Sequence, residues 1–203
     1  MGMNFIAFDL ETTGTLAGID RIVEIGAVRF INGEPQDIYS TLVDPKMPIP
    51  EGASRVNGIT DDMVEGKPTI DTFLESLTQF CGSEPLVAHN ASFDFQFLLN
   101  AYKKHEVLAP SGYVFDTLAL SKRILPGLNN YRLSTVAQHL RCKFGVLHRA
   151  YEDAELCGMV FSKLMKDALP SEYLDKKDVE QLQGKASLKF PYIEKSEEQL
   201  TLI

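Results

Sequence analysis

The sequence predicts an α/β domain built around a mixed sheet. Three features carry this reading. Three β-rich runs come first, strands and helical patterns then alternate, and a long amphipathic segment closed by Pro170 follows. The opening run over 3–10 holds Phe5, Ile6, Ala7 and Phe8, apolar enough for a central strand. Two further β-rich runs flank Asn32-Gly33, a hairpin signal, so the first three strands are expected to be antiparallel. Pro45, Pro48 and Pro50 end that pattern.

Two short helical turns are expected around Gly58. A helix then runs from a Thr69 N-cap to Gly82, with Ile70, Phe73, Leu74, Leu77 and Phe80 on one face. PLVAHN reads as a short buried strand, followed by the helix ASFDFQFLLNAYKKH. YVFD reads as another strand, leading into helix TLALSKRIL. Leu133, Val136, Ala137 and Leu140 share a helical face, and AYEDAELCGMVFSKLMKDAL is the last long helix. The sheet should therefore contain three antiparallel strands and then two parallel ones, with helices on its faces. Beyond Pro170 the chain turns polar and charged. We divide it into a domain over 1–169 and a C-terminal appendage over 170–203.

Composition narrows the function. At 203 residues, 44% hydrophobic and 24% charged, the chain can bury one ordinary core. No apolar run reaches membrane-spanning length, and the strand pattern starts too early to leave room for a signal peptide. Cys81, Cys142 and Cys157 are odd in number and lack C-x-x-C spacing, which argues against a disulfide framework or zinc site and for the cytoplasm. The net charge of −8 argues against a protein that coats a duplex. It is unevenly spread: residues 1–99 carry 5 Lys+Arg against 15 Asp+Glu, whereas 100–203 carry 15 against 13. An acidic body with a basic later segment fits a grip on a short piece of nucleic acid.

The opening strand runs straight into Asp9-Leu10-Glu11. Residues two apart on a strand share a face, so both carboxylates point the same way. Burying two like charges is costly unless something neutralises them. The pair alone also fits ordinary surface acids. Asp94 falls in the first turn of a helix entered from a buried strand, where it could equally serve the helix dipole. His148 precedes Asp153 by five residues. On one helix that is about 500°, a splay of about 140°, so His148 must lie before the helix or at its start for both to reach one site. Four oxygen-donor acids suit Mg²⁺ or Mn²⁺, not zinc. Two such ions about 4 Å apart clamp the attacking and leaving oxygens of a phosphodiester. A histidine is the natural base for the attacking water.

The stretches FDLETTG, VAHNASFDFQFL, VFDTLALSKRILPGLNNYRLSTVAQHL and HRAYEDAE together resemble the DEDDh 3′–5′ exonucleases over residues 3–168. That family includes the proofreading epsilon subunit of bacterial DNA polymerase III and exodeoxyribonuclease X. The resemblance implies a ribonuclease H-like fold. It implies Asp9, Glu11, Asp94 and Asp153 as ligands of two Mg²⁺ or Mn²⁺ ions, with His148 as base. Arg149 stands where the tyrosine-type subgroup has its tyrosine, which excludes that subgroup. The resemblance also implies that Thr13 and Gly14 approach the 3′-terminal nucleotide and that Ile59 and Phe93 pack near the terminal bases. Many relatives have histidine in an HGIT-like loop where this chain has Asn57, and Asp116 matches a DT motif read as structural.

The implied substrate is the single-stranded 3′ end of DNA, with release of nucleoside monophosphates in proofreading or repair. RNA as substrate and a non-catalytic adaptor are the alternatives. With no polymerase domain in the chain, proofreading would act in trans on a DNA polymerase partner. The final stretch, Gln199-Leu200-Thr201-Leu202-Ile203, resembles peptides that dock on the sliding clamp, with Gln199, Leu200, Leu202 and Ile203 as anchors.

Overall fold

The computed structural model describes residues 4–145, 148–169 and 175–191. Its strands are β1 (Phe5–Thr12), β2 (Ile22–Ile31), β3 (Glu34–Leu42), β4 (Leu86–Ala88), β5 (Tyr113–Asp116) and β6 (Leu188–Lys189). They form one sheet in the order β3-β2-β1-β4-β5-β6. The first three are antiparallel, β4 runs parallel to β1, β5 parallel to β4, and β6 antiparallel to β5. The mixed sheet expected from the sequence is therefore present, with one strand more than expected.

The helices are α1 (Glu51–Asn57), α2 (Asp61–Val64), α3 (Ile70–Cys81), α4 (Ser92–His105), α5 (Thr117–Ile124), α6 (Leu133–His139), α7 (Ala150–Ala168) and α8 (Lys176–Gln183). Alternation along β1 decides which layer each covers. Ile6, Phe8 and Leu10 join Leu74 and Leu77 of α3 and Phe95, Leu98 and Tyr102 of α4 in one core. Phe5 and Ala7 join Val28 and Phe30 of β2 and Leu156, Val160 and Phe161 of α7 in the other. A Cβ on Gly158 would meet the Phe30 ring at 2.1 Å, so α7 sits close over β2. Among the described residues no helix is long and apolar enough to cross a membrane.

One expectation changes in detail. Thr69 holds the N-cap position of α3, but its hydroxyl donates to the Asp71 carboxylate at 2.5 Å instead of capping a backbone N–H. Residues 175–191 are tied into the domain. β6 pairs with β5, Phe190 stacks on Phe95 with ring centroids 4.6 Å apart, and Lys185 reaches Asp116 at 2.6 Å. The candidate clamp anchors Gln199, Leu200, Leu202 and Ile203 lie outside the described residues.

Candidate active site

β1 continues past the expected boundary to Thr12, so Asp9 and Glu11 both lie within the strand. They extend the face that carries Phe5 and Ala7, toward α7. The register makes the transition visible: Phe5 pairs with Phe30, Ala7 with Val28, Asp9 with Gly26 and Glu11 with Glu24. Apolar pairs give way to acids at the end where β1 and the parallel strand β4 both finish. α7 enters at this end and brings Asp153 in its first turn.

Asp9, Glu11 and Asp153 each offer a carboxylate oxygen, and these atoms lie within 4.8 Å of one another. Asp94 sits in the first turn of α4, buried, where its Oδ1 accepts the Leu10 N–H at 3.0 Å. It thus borders Asp9 from the β4 side and stands outside the close trio. Burial, then the charges of Asp94, Asp153, Glu11 and Glu24, hold the Asp9 carboxyl well above its ordinary range. Burial pushes Asp94 up to about 8, against the opposing pull of backbone N–H groups. Burial and the charges of Asp153 and Glu24 take Glu11 to about 7, opposed by a hydrogen bond to Asn57. Burial raises Asp153 as well, while a hydrogen bond from the His148 backbone pulls it down. Among the described residues none of the four forms an ion pair with lysine or arginine. Hard, clustered oxygen donors of this kind fit divalent Mg²⁺ or Mn²⁺.

His148 precedes α7, as its spacing from Asp153 requires, and is exposed. Its N–H donates to Asp153 Oδ2 at 2.9 Å. Its φ of +88° lies in the left-handed region, a costly conformation for a residue with a Cβ.

The loop after β1 is held from within. Thr13 is buried, donates its N–H to Arg21 O at 2.9 Å, and accepts the Arg21 N–H on its hydroxyl at 3.0 Å. Any Cβ on Gly14 would meet the Asp20 carboxylate at 2.5 Å. Phe93 is half-buried and packs on Phe97. Ile59 is fully buried with Val23, Ile49 and Val64, so its side chain has no surface to offer a base in this structure. A cleft lined by Arg21, Lys46, Lys104 and His105 among others contains none of Asp9, Glu11, Asp94 and Asp153.

Sequence reasoning missed Glu24, which is fully buried beside the acids; Asn57, noted in the sequence only for standing where many relatives have histidine, is buried as well. Asn57 donates to Thr12 O at 3.3 Å, accepts the Ile59 N–H at 3.0 Å and bonds Glu11. A glutamate inside the apolar run RIVEIGAV was the available signal for Glu24.

A partly buried carboxylate cluster that could hold a metal ion, with an adjacent histidine, at the ends of parallel strands in a mixed sheet, is an arrangement suited to hydrolysis of a phosphodiester. The exonuclease family RNase_T matches residues 6–161, and the chain belongs to it, as a DEDDh-type 3′–5′ exonuclease domain. A segment of the PolC-type DNA polymerase III of Halalkalibacterium halodurans is 38% identical over 170 residues, 84% of this chain and 12% of that protein. The Clostridium perfringens counterpart is 38% identical over 190 residues, 88% of this chain and 13% of that protein. The chain thus spans about an eighth of the length of these curated relatives. Exonuclease X, solved in complex with 5′ overhanging duplex DNA, superposes with a TM-score of 0.69 at 28% identity, covering 90% of this chain and 99% of that one. Escherichia coli exonuclease I, in complex with a dT13 oligonucleotide, shares the fold with a TM-score of 0.69 at 19% identity, over 81% of this chain and 41% of that one.

Proposed function

We propose that this chain removes nucleoside monophosphates one at a time from single-stranded 3′ ends of DNA by metal-dependent hydrolysis, in the cytoplasm, during proofreading or repair. The observation that carries the proposal is the convergence of Asp9, Glu11 and Asp153, none of which forms an ion pair with lysine or arginine among the described residues. Asp9, Glu11 and Asp153, joined by Asp94, would hold two Mg²⁺ or Mn²⁺ ions. When bound, such ions supply Lewis acidity at the scissile phosphate and activate water for attack.

The residues do the rest. His148, at the exposed entrance to α7, takes the proton from the attacking water. Its backbone N–H orients Asp153. Asn57 favours the charged form of Glu11 through a hydrogen bond. The loop carrying Thr13 and Gly14, together with Phe93, approaches the terminal nucleotide, and the half-buried Phe93 ring suits contact with a base. The likeness to polymerase-borne segments supports a DNA polymerase as partner. The terminal Gln199–Ile203 stretch supports docking on a sliding clamp, which deletion of 199–203 should abolish while leaving hydrolysis of a free oligonucleotide unchanged.

The test is product analysis with 5′-labelled oligonucleotides, single-stranded, matched and mismatched, in DNA and RNA, with Mn²⁺. A ladder shortening from the 3′ end of DNA is expected. Equal or faster shortening of RNA would reassign the substrate, and no Mn²⁺-dependent release from either would leave the scaffold an adaptor.

A further inference from the structure

Glu24 lies on β2 directly opposite Glu11, with a side chain 1% exposed. All of its polar contacts go to the entrance of α7. It accepts from Arg149 Nε at 2.9 and 3.2 Å, from Arg149 Nη2 at 2.6 Å and from the Ala150 N–H at 2.9 Å. Gly26, next along the same face, makes this seat possible. A Cβ there would come 2.1 Å from the Ala150 carbonyl carbon. The first turn of α7 therefore rests on bare β2 backbone and is bolted down by one bidentate ion pair.

We propose that Glu24 and Arg149 are positioning residues, a clamp that sets Asp153 and His148 against the β1 acids. The proposal rests on the metal-dependent nuclease reading of the site. Arg149 occupies the one position between the candidate base and the first turn of α7. His148 is in turn tied to Asp153 through its N–H. A shift of the Arg149 backbone moves both groups together. Stability alone is a poor reason for this pair, because the Arg149 side chain is 42% exposed and solvent screens its attraction. A guanidinium fork is the side chain that fixes direction as well as charge. Carboxylates that orient metal-binding groups from behind typically account for about 10- to 100-fold in metal affinity or activity.

The experiment uses the full chain and its Arg149→Ala, Arg149→Lys and Glu24→Gln variants. Mn²⁺ affinity is measured by EPR titration, turnover on a single-stranded DNA oligonucleotide, and Tm in parallel. Arg149→Ala should weaken Mn²⁺ binding by about 10- to 100-fold. It should also lower kcat more than KM, with only partial recovery at saturating Mn²⁺, because His148 is displaced too. Arg149→Lys should fall between Arg149→Ala and wild type, since an ammonium keeps the charge and loses the fork. Glu24→Gln should resemble Arg149→Lys, keeping the Ala150 contact.

If Arg149→Ala lowers Tm but keeps Mn²⁺ affinity and kcat within about twofold of wild type, below the scale expected of such a residue, the clamp is merely structural and the proposal is overturned. If Arg149→Ala is unfolded at the assay temperature, Arg149→Lys decides by the same criteria. If the wild-type chain binds Mn²⁺ but releases no nucleotide, the nuclease reading fails, and the Mn²⁺ affinities still decide the clamp. A wild-type chain that binds no Mn²⁺ overturns both.

Discussion

Glu24 and Glu11 face each other across adjacent strands at the same end of the sheet, yet they live in opposite electrostatic regimes. Glu24 is the more deeply buried, and it is met by a guanidinium fork and a backbone N–H. Asp116, also buried, is met by Lys185 and by the N–H groups of Asn90 and Leu118. Among the described residues Asp9, Glu11, Asp94 and Asp153 form no ion pair with lysine or arginine, and each is shifted toward its protonated form. The difference teaches how to read a buried acid. A carboxylate with its own cation holds the fold together, whereas several that share one space without a cation are arranged for something else.

The largest effect should come from the unpaired group. Asp9→Ala or Asp153→Ala should abolish measurable nucleotide release, a greater loss than removing the base, because the ions the reaction would need lose a ligand. In EDTA the same variants should melt no lower than wild type, because deleting one of several repelling charges relieves the cluster. A large fall in Tm under EDTA would place these acids with the structural ones.

His148→Ala should come next, lowering turnover by about 10²- to 10⁴-fold while Mn²⁺ affinity holds. Loss of Mn²⁺ affinity with full rate at saturating metal would make His148 a ligand. His148→Gly would separate chemistry from backbone strain. It should be as inactive as His148→Ala yet more stable, since glycine adopts a φ of +88° freely.

The comparison also explains what the sequence revealed. Asp9, Glu11, Asp94, Asp153 and His148 were readable because residue type and spacing already put carboxylates at strand and helix ends. The shared face of Asp9 and Glu11 followed from period-2 alternation along β1. Glu24 was not readable in the same way. Its role depends on the β1–β2 register across the 13–21 connection, which places it opposite Glu11. Arg149 served in the sequence only to exclude a tyrosine, and its direction depends on how α7 seats on Gly26. Likewise the β6 pairing spans only Leu188 and Lys189, too short for any period, and Phe190 enters the core through tertiary packing alone.

A pH comparison sharpens the contrast further. Glu11 is raised from 4.5 to about 7, so the folded protein holds a proton there that the unfolded chain releases. Such a shift favours folding at low pH, and the advantage is lost as pH rises from about 4.5 toward 7. In EDTA, Glu11→Gln should therefore raise Tm over wild type at pH 8 by an amount on the order of 3 kcal/mol, several degrees for a chain of this size. The gain should shrink markedly at pH 5. A gain of the same size at both pH values would mean that packing, not charge, accounts for it. Mn²⁺ should reverse the order at pH 8 by stabilising wild type more than the variant.

The smallest effect should come from breaking a paired acid outside the cluster. Lys185→Met removes the cation from Asp116, whose Oδ1 keeps the N–H groups of Asn90 and Leu118 at 3.1 and 2.9 Å. The Lys185 side chain is 45% exposed, so solvent already screens the pair. The loss should be about 1 kcal/mol, or about 2–4 °C in Tm. It should narrow in 1 M salt, where screening weakens the wild-type pair as well. Adding Asp116→Asn should make the two changes less than additive, since each removes the same contact. Turnover should stay near wild type in Lys185→Met, because Asp116 caps α5 and touches none of the clustered acids through a hydrogen bond. A collapse of activity at unchanged Tm would join Asp116 to the active group, and the division between paired structural acids and unpaired functional ones would fail at that point.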